Sequence, residues 1–227
     1  MSDVGEPAEG MGESVFPTAS SPKLGDQLKS AILATLGLTF LTGCIFPLLL
    51  FAIARPLFPR QVGGSLMTRD GAAVGSELIG QAFTRPEYFH SRPSAAGRGY
   101  DGTASAGTNL GPNNPKLTNG SADFAGVRQL AKEYREENGL APDASIPIDA
   151  VTRSGSGLDP HISPENAALQ VPRVARARAL SEEVVRRLIA EHTAGPQLGF
   201  LGKPRVSVLE LNLALDQLKQ AAQSTVR

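Results

Sequence analysis

The sequence predicts an α+β protein in which a single N-terminal transmembrane helix is followed by one mixed, helix-rich globular domain. Three observations support this fold class. A stretch of 25 residues, from Ser30 to Ala54, carries no charge. Three sets of helix-start signals lie in the last third of the chain. The region between is divided by loops rich in Gly, Ser, Asn and Pro, and 76–83 there could form a short strand or a helical turn.

The uncharged stretch is long enough to cross a bilayer. As a helix it would measure roughly 37 Å at about 1.5 Å per residue, against a hydrocarbon core of about 30 Å. Its residues are apolar on every side, and Lys29 and Arg55 flank it. We therefore predict a transmembrane helix over 30–54, with Ala31 and Ala54 marking its ends. Pro47 would interrupt this helix in its second half, which favours a neighbouring helix in the membrane.

One processing alternative competes with a permanent anchor. Leu41-Thr42-Gly43-Cys44 is similar to a bacterial lipobox, whose cysteine is lipidated after cleavage. However, the apolar run continues from Ile45 to Ala54, where a mature lipoprotein normally becomes polar. The anchor is therefore favoured, and lipoprotein processing at Cys44 stays an alternative. The lysines and arginines on the two flanks lean slightly towards a C-terminal domain inside the cell, but long domains translocate largely regardless of charge.

Composition sets the limits on the rest of the chain. Residues 1–29 have five acidic and two basic side chains and are rich in Gly, Ser and Pro, which predicts a disordered tail. Residues 55–227 are numerous enough for one globular domain. The whole chain has 22 basic and 22 acidic residues, so it lacks the charge excess of a nucleic-acid binder. One cysteine excludes an internal disulfide framework.

Local signals place the helices of the domain. Apolar residues at three-to-four spacing predict an amphipathic helix over 122–138, ended by Gly139. Ser163-Pro164-Glu165 predicts a helix start, and we expect this helix to run to about Val171, with Pro172 kinking or ending it. Two more helices should begin at Ser181 and at the capping box 207–210, the second carrying a leucine stripe, and Gly195 should close the first. Residues 91–115 should form an irregular loop.

The segment 151–163 carries the residues most suggestive of chemistry. Ser156, Asp159 and His161 lie close together, so a membrane-tethered extracytoplasmic hydrolase is one alternative. The serine lacks a G-x-S-x-G context, and Asp159 and His161 should be too close in sequence to pair as in a triad. A turn leading to the Ser163 helix start is the favoured interpretation. The three histidines lack the spacing of a metal site, so no metal site is predicted. Since the turn is favoured over a catalytic serine, no enzyme is predicted either.

Six motifs in order along the chain carry a family resemblance. They are Gly64-Ser65-Leu66, the run 75–81 (GSELIGQ), the run 88–94 (YFHSRPS), the segment 154–163, the run 170–175 (QVPRVA) and the run 208–212 (VLELN). With these motifs the chain resembles the C subunit of the bacterial high-affinity potassium-pumping P-type ATPase, the Kdp complex. The resemblance covers about 28–216.

The resemblance implies a location and partners. Members of this family are single-pass proteins of the bacterial plasma membrane, with a cytoplasmic N-terminus and an extracytoplasmic domain beside a potassium-channel-like subunit. The ATP-hydrolysing chemistry belongs to another subunit, so this chain would be a non-catalytic accessory subunit. It is expected to stabilise assembly and to act as a catalytic chaperone that raises the ATP affinity of that subunit. No firmly bound cofactor is expected, with ATP reached only through the partner subunit.

The same resemblance suggests two sets of site residues that conflict. Ser154, Gly155, Ser156 and Gly157, with Gln170, have been likened to a nucleotide-binding signature, but an extracytoplasmic domain does not meet cytoplasmic ATP. The glycine-rich run also lacks the lysine of a phosphate-binding loop. We therefore favour a docking role for the loops 91–115 and 154–161 on the potassium subunit. The candidate contact residues are Asn109, Asp159 and His161.

Overall fold

The computed structural model describes residues 23–69 and 71–225, so residues 1–22 of the predicted tail lie outside them, whereas 24–29 are helical rather than disordered. The chain divides into two compact units, one ending at Pro59 and the other beginning at Arg60. The first contains a nearly all-apolar helical segment and the second contains every β-strand that the structure describes. An α+β fold with one N-terminal apolar helix is thus confirmed.

The first unit consists of one helical segment, Leu24–Leu57, which is long and apolar enough to cross a membrane. Helix α1 (Leu24–Phe40) is followed by a π-helical turn (Leu41–Ile45) and by helix α2 (Phe46–Leu57). The π turn lies just before Pro47, because a proline cannot donate the next main-chain hydrogen bond and the helix must adjust locally. The predicted span ends, Ala31 and Ala54, both lie inside this segment.

A short helix and a β-hairpin follow the apolar segment. Helix α3 (Pro59–Val62) precedes strands β1 (Leu66–Arg69) and β2 (Ala72–Ser76), which pair antiparallel with a bulge between Met67 and Thr68. Strand β2 therefore ends at Ser76, whereas the sequence suggested that a strand could begin there. The Ser76 hydroxyl explains the end, since it donates to the Gly64 carbonyl and accepts from the Leu78 N–H, turning the chain away from the hairpin.

Between the hairpin and the C-terminal helices the chain is mostly irregular. From 91 to 114 the structure has neither helix nor strand, as the sequence predicted. Helix α4 (Pro115–Asn119) and helix α5 (Val127–Asn138) follow, then a 3₁₀ turn (Ile148–Ala150). Helix α5 starts five residues later than predicted, because residues 121–124 form a small turn closed by a Ser121–Phe124 bridge. It ends as predicted, with Gly139 in the left-handed conformation.

Three helices form the scaffold of the domain. Helix α6 (Pro164–Arg178) and helix α7 (Glu182–Glu191) both begin after a serine that caps a main-chain N–H. The prediction that α6 would end near Val171 is wrong, because the helix continues through Pro172 to Arg178, and a kink at Pro172 stays a prediction. Its second half buries Val174 and Ala175 in the core, and this packing outweighs the one hydrogen bond that proline removes.

Helix α8 (Val208–Thr225) follows directly on a small antiparallel sheet. The sheet has the order β3-β5-β4, from strands β3 (His161–Ile162), β4 (Thr193–Ala194) and β5 (Arg205–Ser207). The main core lies between this sheet and the three helices and includes Leu211 and Leu215. Leu218, at the end of the predicted leucine stripe, is 37% exposed. A second, smaller core packs Tyr134 of α5 against Val151.

Candidate functional site

The two loops in which the sequence placed its candidate residues pack against each other. The Ser94 hydroxyl donates to the Gly157 carbonyl over 2.6 Å. The Ser156 carbonyl accepts both the Ser105 hydroxyl, at 2.9 Å, and the Ala106 N–H, at 3.0 Å. We call this contact of residues 94–107 with 155–158 the loop junction. It joins segments about 50 residues apart into one surface.

Glycines allow the two backbones of the loop junction to approach so closely. Gly157 has φ +68°, and a Cβ atom added there would lie 2.6 Å from the Ala106 carbonyl oxygen and 2.7 Å from the Ala96 nitrogen. A Cβ on Gly107 would lie 2.7 Å from the Gly155 carbonyl oxygen. Both distances are far below van der Waals contact, so two glycines here serve close packing.

The run 154–157 has the contacts of a turn. The Ser156 hydroxyl oxygen accepts the Leu158 N–H at 3.1 Å and lies 3.5 Å from the Ser154 hydroxyl. The Gly157 N–H donates to the Ser154 carbonyl over 3.3 Å. These neighbours are those of a compact turn, whereas a nucleophilic serine needs a general base at hydrogen-bond distance.

Asp159 forms a charged cluster beside the loop junction. Its carboxylate accepts the Arg92 guanidinium at 2.8 Å and the His161 main-chain N–H at 3.0 Å. The His161 Nδ1 atom lies 3.6 Å from the same carboxylate, which is longer than a hydrogen bond and is not the base-orienting contact of a triad. The two residues are near each other because His161 begins strand β3 directly after the Asp159-Pro160 turn. Tyr100 fixes Arg92 from the other side by donating to the Arg92 main-chain carbonyl.

The surroundings shift the pKa values of two of these groups. Burial raises the pKa of the Tyr100 phenol to about 12, so the tyrosine stays a neutral donor. Burial also disfavours the Asp159 carboxylate, but the hydrogen bonds from His161 and the Arg92 guanidinium outweigh it. Together they lower the pKa of Asp159 from 3.8 to about 2. The cluster is therefore an ion pair at neutral pH.

Asp159 and His161 line an open groove of about 880 Å³. Lys203 and Arg205 lie on another wall, and Ile148 projects from the 3₁₀ turn with 77% of its surface exposed. The groove thus combines an exposed apolar side chain with charged groups of both signs, a composition suited to a protein contact. Asn109 is exposed in the loop beyond Gly107 and adopts a left-handed φ of 53°.

Gln170 lies in the core and makes four hydrogen bonds. Its side-chain oxygen accepts the His90 main-chain N–H, at 2.8 Å, and the Arg173 guanidinium, at 2.7 Å. Its nitrogen donates to the His90 carbonyl, at 3.1 Å, and to the Asn166 side chain, at 2.9 Å. An amide has two donor hydrogens and two acceptor lone pairs, so the hydrogen-bonding capacity of Gln170 is filled.

A second amide holds the preceding residue in the same way. The Asn212 side chain of α8 accepts the Phe89 N–H at 2.8 Å and donates to the Phe89 carbonyl at 2.9 Å. We call Gln170 and Asn212, with the main chain of 89–90, the amide clamp. It fixes the start of the 88–94 segment, which continues into the loop junction. Sequence reasoning assigned no role to Asn212, and the only available signal was a polar residue inside an apolar helix stripe.

Another feature missed by sequence reasoning is the tip of the β4–β5 connection. Leu198 and Phe200 are 83% and 75% exposed, and a bridge between Gln197 and Leu201 closes the turn. Leu198 adopts φ 53°, which is unusual for a leucine. Among the residues that the structure describes, no three His, Cys, Asp or Glu side chains come together as a metal site.

These features define a class: a small protein with one candidate membrane span and a domain whose loops form an exposed surface fixed by buried amides. The family model described as "KdpC: K+-transporting ATPase, c chain" matches residues 28–217. The chain belongs to this family. The resemblance inferred from the sequence motifs is therefore confirmed.

Relatives from several bacteria agree with this assignment, and each is a protein called "Potassium-transporting ATPase KdpC subunit". The one from Mycobacterium tuberculosis (strain H37Rv) is 51% identical over 192 residues, which cover 85% of this chain and 98% of the relative. The one from Sorangium cellulosum is 54% identical over 190 residues, covering 83% and 96%. The one from Koribacter versatilis is 48% identical over 192 residues, covering 83% and 93%.

Proposed function

We propose that this chain is a non-catalytic accessory subunit of an ATP-driven, high-affinity potassium uptake pump. Its helix anchors it in the bacterial plasma membrane, and its domain docks on the potassium-channel-like subunit and stabilises the assembly. The observation that carries this proposal is the family membership over residues 28–217. The loop junction supports the docking role, because its hydrogen bonds hold an exposed surface in place.

The docking surface that we propose comprises the exposed Asn109 loop and the groove with Asp159 and His161. Two contacts preorganise it. The Arg92–Asp159 ion pair fixes the groove wall, and the loop junction fixes the loop that leads to Asn109. Preorganised loops lose little conformational entropy on association, which favours binding. Lys203 and Arg205, which line the same groove, would pair with acidic residues of the partner.

We further propose that the N-terminus is cytoplasmic and the domain extracytoplasmic. The domain would then raise the ATP affinity of the ATP-hydrolysing subunit through the assembly, without touching the nucleotide. The hydrogen bonds of Gln170 support this proposal, since a buried amide that already makes four hydrogen bonds has none to offer a ligand. Direct nucleotide binding by Ser154–Gly157 with Gln170 is the second candidate, and the glycine-rich turn favours it.

The test is a potassium-stimulated ATPase assay on the complex purified with and without this chain. Without this chain, we expect the other subunits to co-purify poorly with one another. We also expect their affinities for potassium and for ATP to fall together. The double variant Asn109→Gly, His161→Ala should weaken co-purification. Glycine at 109 keeps the left-handed backbone accessible, so the change removes only a side chain.

A matched control is the double variant Gln129→Ala, Glu133→Ala, which alters two exposed polar residues of helix α5 outside the groove and outside both docking loops. It should behave like the parent chain. Unchanged assembly and potassium affinity in the Asn109/His161 variant would contradict the docking surface. Nucleotide binding by the chain alone, lost on Gly155→Ala, would favour the second candidate. Turnover of an ester or peptide substrate that is abolished by Ser156→Ala would instead support a hydrolase.

A further inference from the structure

The helical segment Leu24–Leu57 contains main-chain carbonyls without their usual donors. In the π turn, the Phe46 N–H donates to the Leu41 carbonyl, five residues back. The next residue, Pro47, has no N–H to give. Phe46 and Pro47 are the residues whose N–H groups would serve the carbonyls of Thr42 and Gly43 in an α-helix. Both carbonyls therefore lose their helical donors.

Loss of a donor matters in the middle of an apolar span. An unsatisfied main-chain group in hydrocarbon costs several kcal/mol, because no water is present to replace the partner. Gly43 has no side chain to cover these oxygens, and the position of a Cβ atom there has no neighbour within 4 Å. A group approaching from outside the helix can therefore reach them.

The side of the helix that carries Gly43 is also its polar side. Thr35, Thr39, Gly43 and Pro47 follow one another at a spacing of four, which brings them to one face. The Thr42 hydroxyl donates to the Leu38 carbonyl at 2.7 Å. The hydroxyls of Thr35 and Thr39 have no hydrogen-bond partner within the part of the chain that the structure describes. We call these four residues the threonine–glycine face.

We propose that the threonine–glycine face binds a transmembrane helix of another subunit, one that carries small residues and a hydroxyl or amide side chain at the depth of Gly43. Small residues allow two helix backbones to approach, and the polar side chain donates to the freed carbonyls. The inference rests on the proposed function, which supplies a membrane complex. Residues 23–69 and 71–225 contain one candidate span, so this chain offers no second helix there.

A second copy of the chain does not fit this face. Two copies would insert with the same orientation and would pack in parallel, with equal positions at equal depth. The nearest free hydroxyl, on Thr39, would then lie four residues, or about 6 Å, from the carbonyl at 43. The Thr42 hydroxyl has the right depth, but it already donates to Leu38. The donor must therefore come from a different sequence.

Site-directed crosslinking of the full chain, co-expressed with the other subunits of the potassium-transporting ATPase, tests the proposal. Cys44 is the single cysteine, so Cys44→Ala gives a cysteine-free parent. Thr39→Cys then places a photoreactive maleimide on the threonine–glycine face. Leu41→Cys is the matched control, two residues away and on the opposite side. We expect at least about fivefold more adduct with another subunit from position 39 than from position 41.

Three outcomes would overturn the inference: equal adducts from both positions, adducts with lipid alone, or a product containing two copies of this chain. Failure of the unaltered chain to co-purify with the other subunits would overturn the proposed function as well, so the two failures are distinguishable. A measurement without crosslinker completes the test. Thr39→Val should reduce the yield of detergent-purified complex about threefold, while Leu41→Val should leave it unchanged.

Discussion

Gln170 illustrates how one buried side chain organises the proposed docking surface. It is 1% exposed and satisfies both main-chain groups of His90. We predict that Gln170→Ala lowers the free energy of unfolding by about 3 kcal/mol, because it removes the partner of the half-buried N–H and carbonyl of His90. Thermal unfolding of the full chain in detergent measures this loss.

Gln129→Ala is the control for this prediction, because Gln129 is an exposed glutamine bonded only to Glu133 on the same helix. It should change the melting temperature by less than about 1 °C. A Gln170→Ala chain as stable as the control would contradict the structural role assigned to the amide clamp.

Asp159 should make stability depend on pH in the acid range. Its folded-state pKa, about 2, lies below the value of 3.8 expected for a free aspartate. A lowered pKa means that the folded state favours the charged form, so the stabilisation is present above about pH 4 and is lost as the pH falls towards 2. We expect the parent to lose more stability than Asp159→Asn between pH 4 and pH 2. An equal loss of the free energy of unfolding in the two proteins between pH 4 and pH 2 would contradict this prediction.

At the scale of elements, the loop junction depends on the left-handed glycine at position 157. We predict that Gly157→Ala destabilises the domain by about 3 kcal/mol, since the new methyl group meets two main-chain atoms and the backbone angle is strained. Gly155→Ala is a close control, because a Cβ there has no neighbour within 4 Å. Chemical denaturation of both variants gives the comparison. Similar denaturation midpoints for the two variants would show that the two loops of the junction do not pack this closely.

Helix α6 shows both the strength and the limit of local signals. Ser163 and Pro164 correctly predicted its start, because a cap is decided by neighbouring residues. The end predicted near Val171 was wrong, because the packing of Val174 and Ala175 in the core outweighs the effect of Pro172. No local sequence pattern indicates that packing. Sequence alone likewise missed the β3-β5-β4 sheet, whose two- and three-residue strands are too short to show alternation.

The continuation of α6 through Pro172 has a testable consequence. Pro172→Ala restores an N–H to a helix that is already formed, so we predict a gain in the free energy of unfolding of about 1 kcal/mol. Differential scanning calorimetry on the full chain in detergent would detect it. A large loss would mean that the proline ring itself fills space in the core.

Across the whole domain, Asp216 connects segments that are far apart in the sequence. Its carboxylate accepts Arg69 of the β-hairpin and Arg178 of α6, both at 2.9 Å, and Tyr88 at 3.0 Å. We predict that Asp216→Asn lowers the free energy of unfolding by about 2 kcal/mol, because the buried guanidinium group of Arg178 loses this counter-charge. Proteolysis of the hairpin should become faster. Asp123→Asn, at an exposed carboxylate, should have no such effect.

Only part of the candidate site could be predicted from the sequence. The loops 91–115 and 154–161 were recognised by composition and motif, and they do pack together. The amide clamp was not predicted, since it depends on which residues of α6 and α8 face the main chain of 89–90 after folding. Contacts of this kind leave no periodicity in the sequence. The candidate span, in contrast, follows from composition alone.

The amide clamp also has a consequence for biosynthesis. The Asn212 side chain lies 123 residues after the main-chain groups of Phe89 that it holds. A ribosome must therefore complete almost the entire polypeptide before this segment acquires its final partner, and such long-range contacts form slowly. The apolar helix emerges long before that moment. Nascent chains would therefore reach the lipid first and mature into their native state only after release.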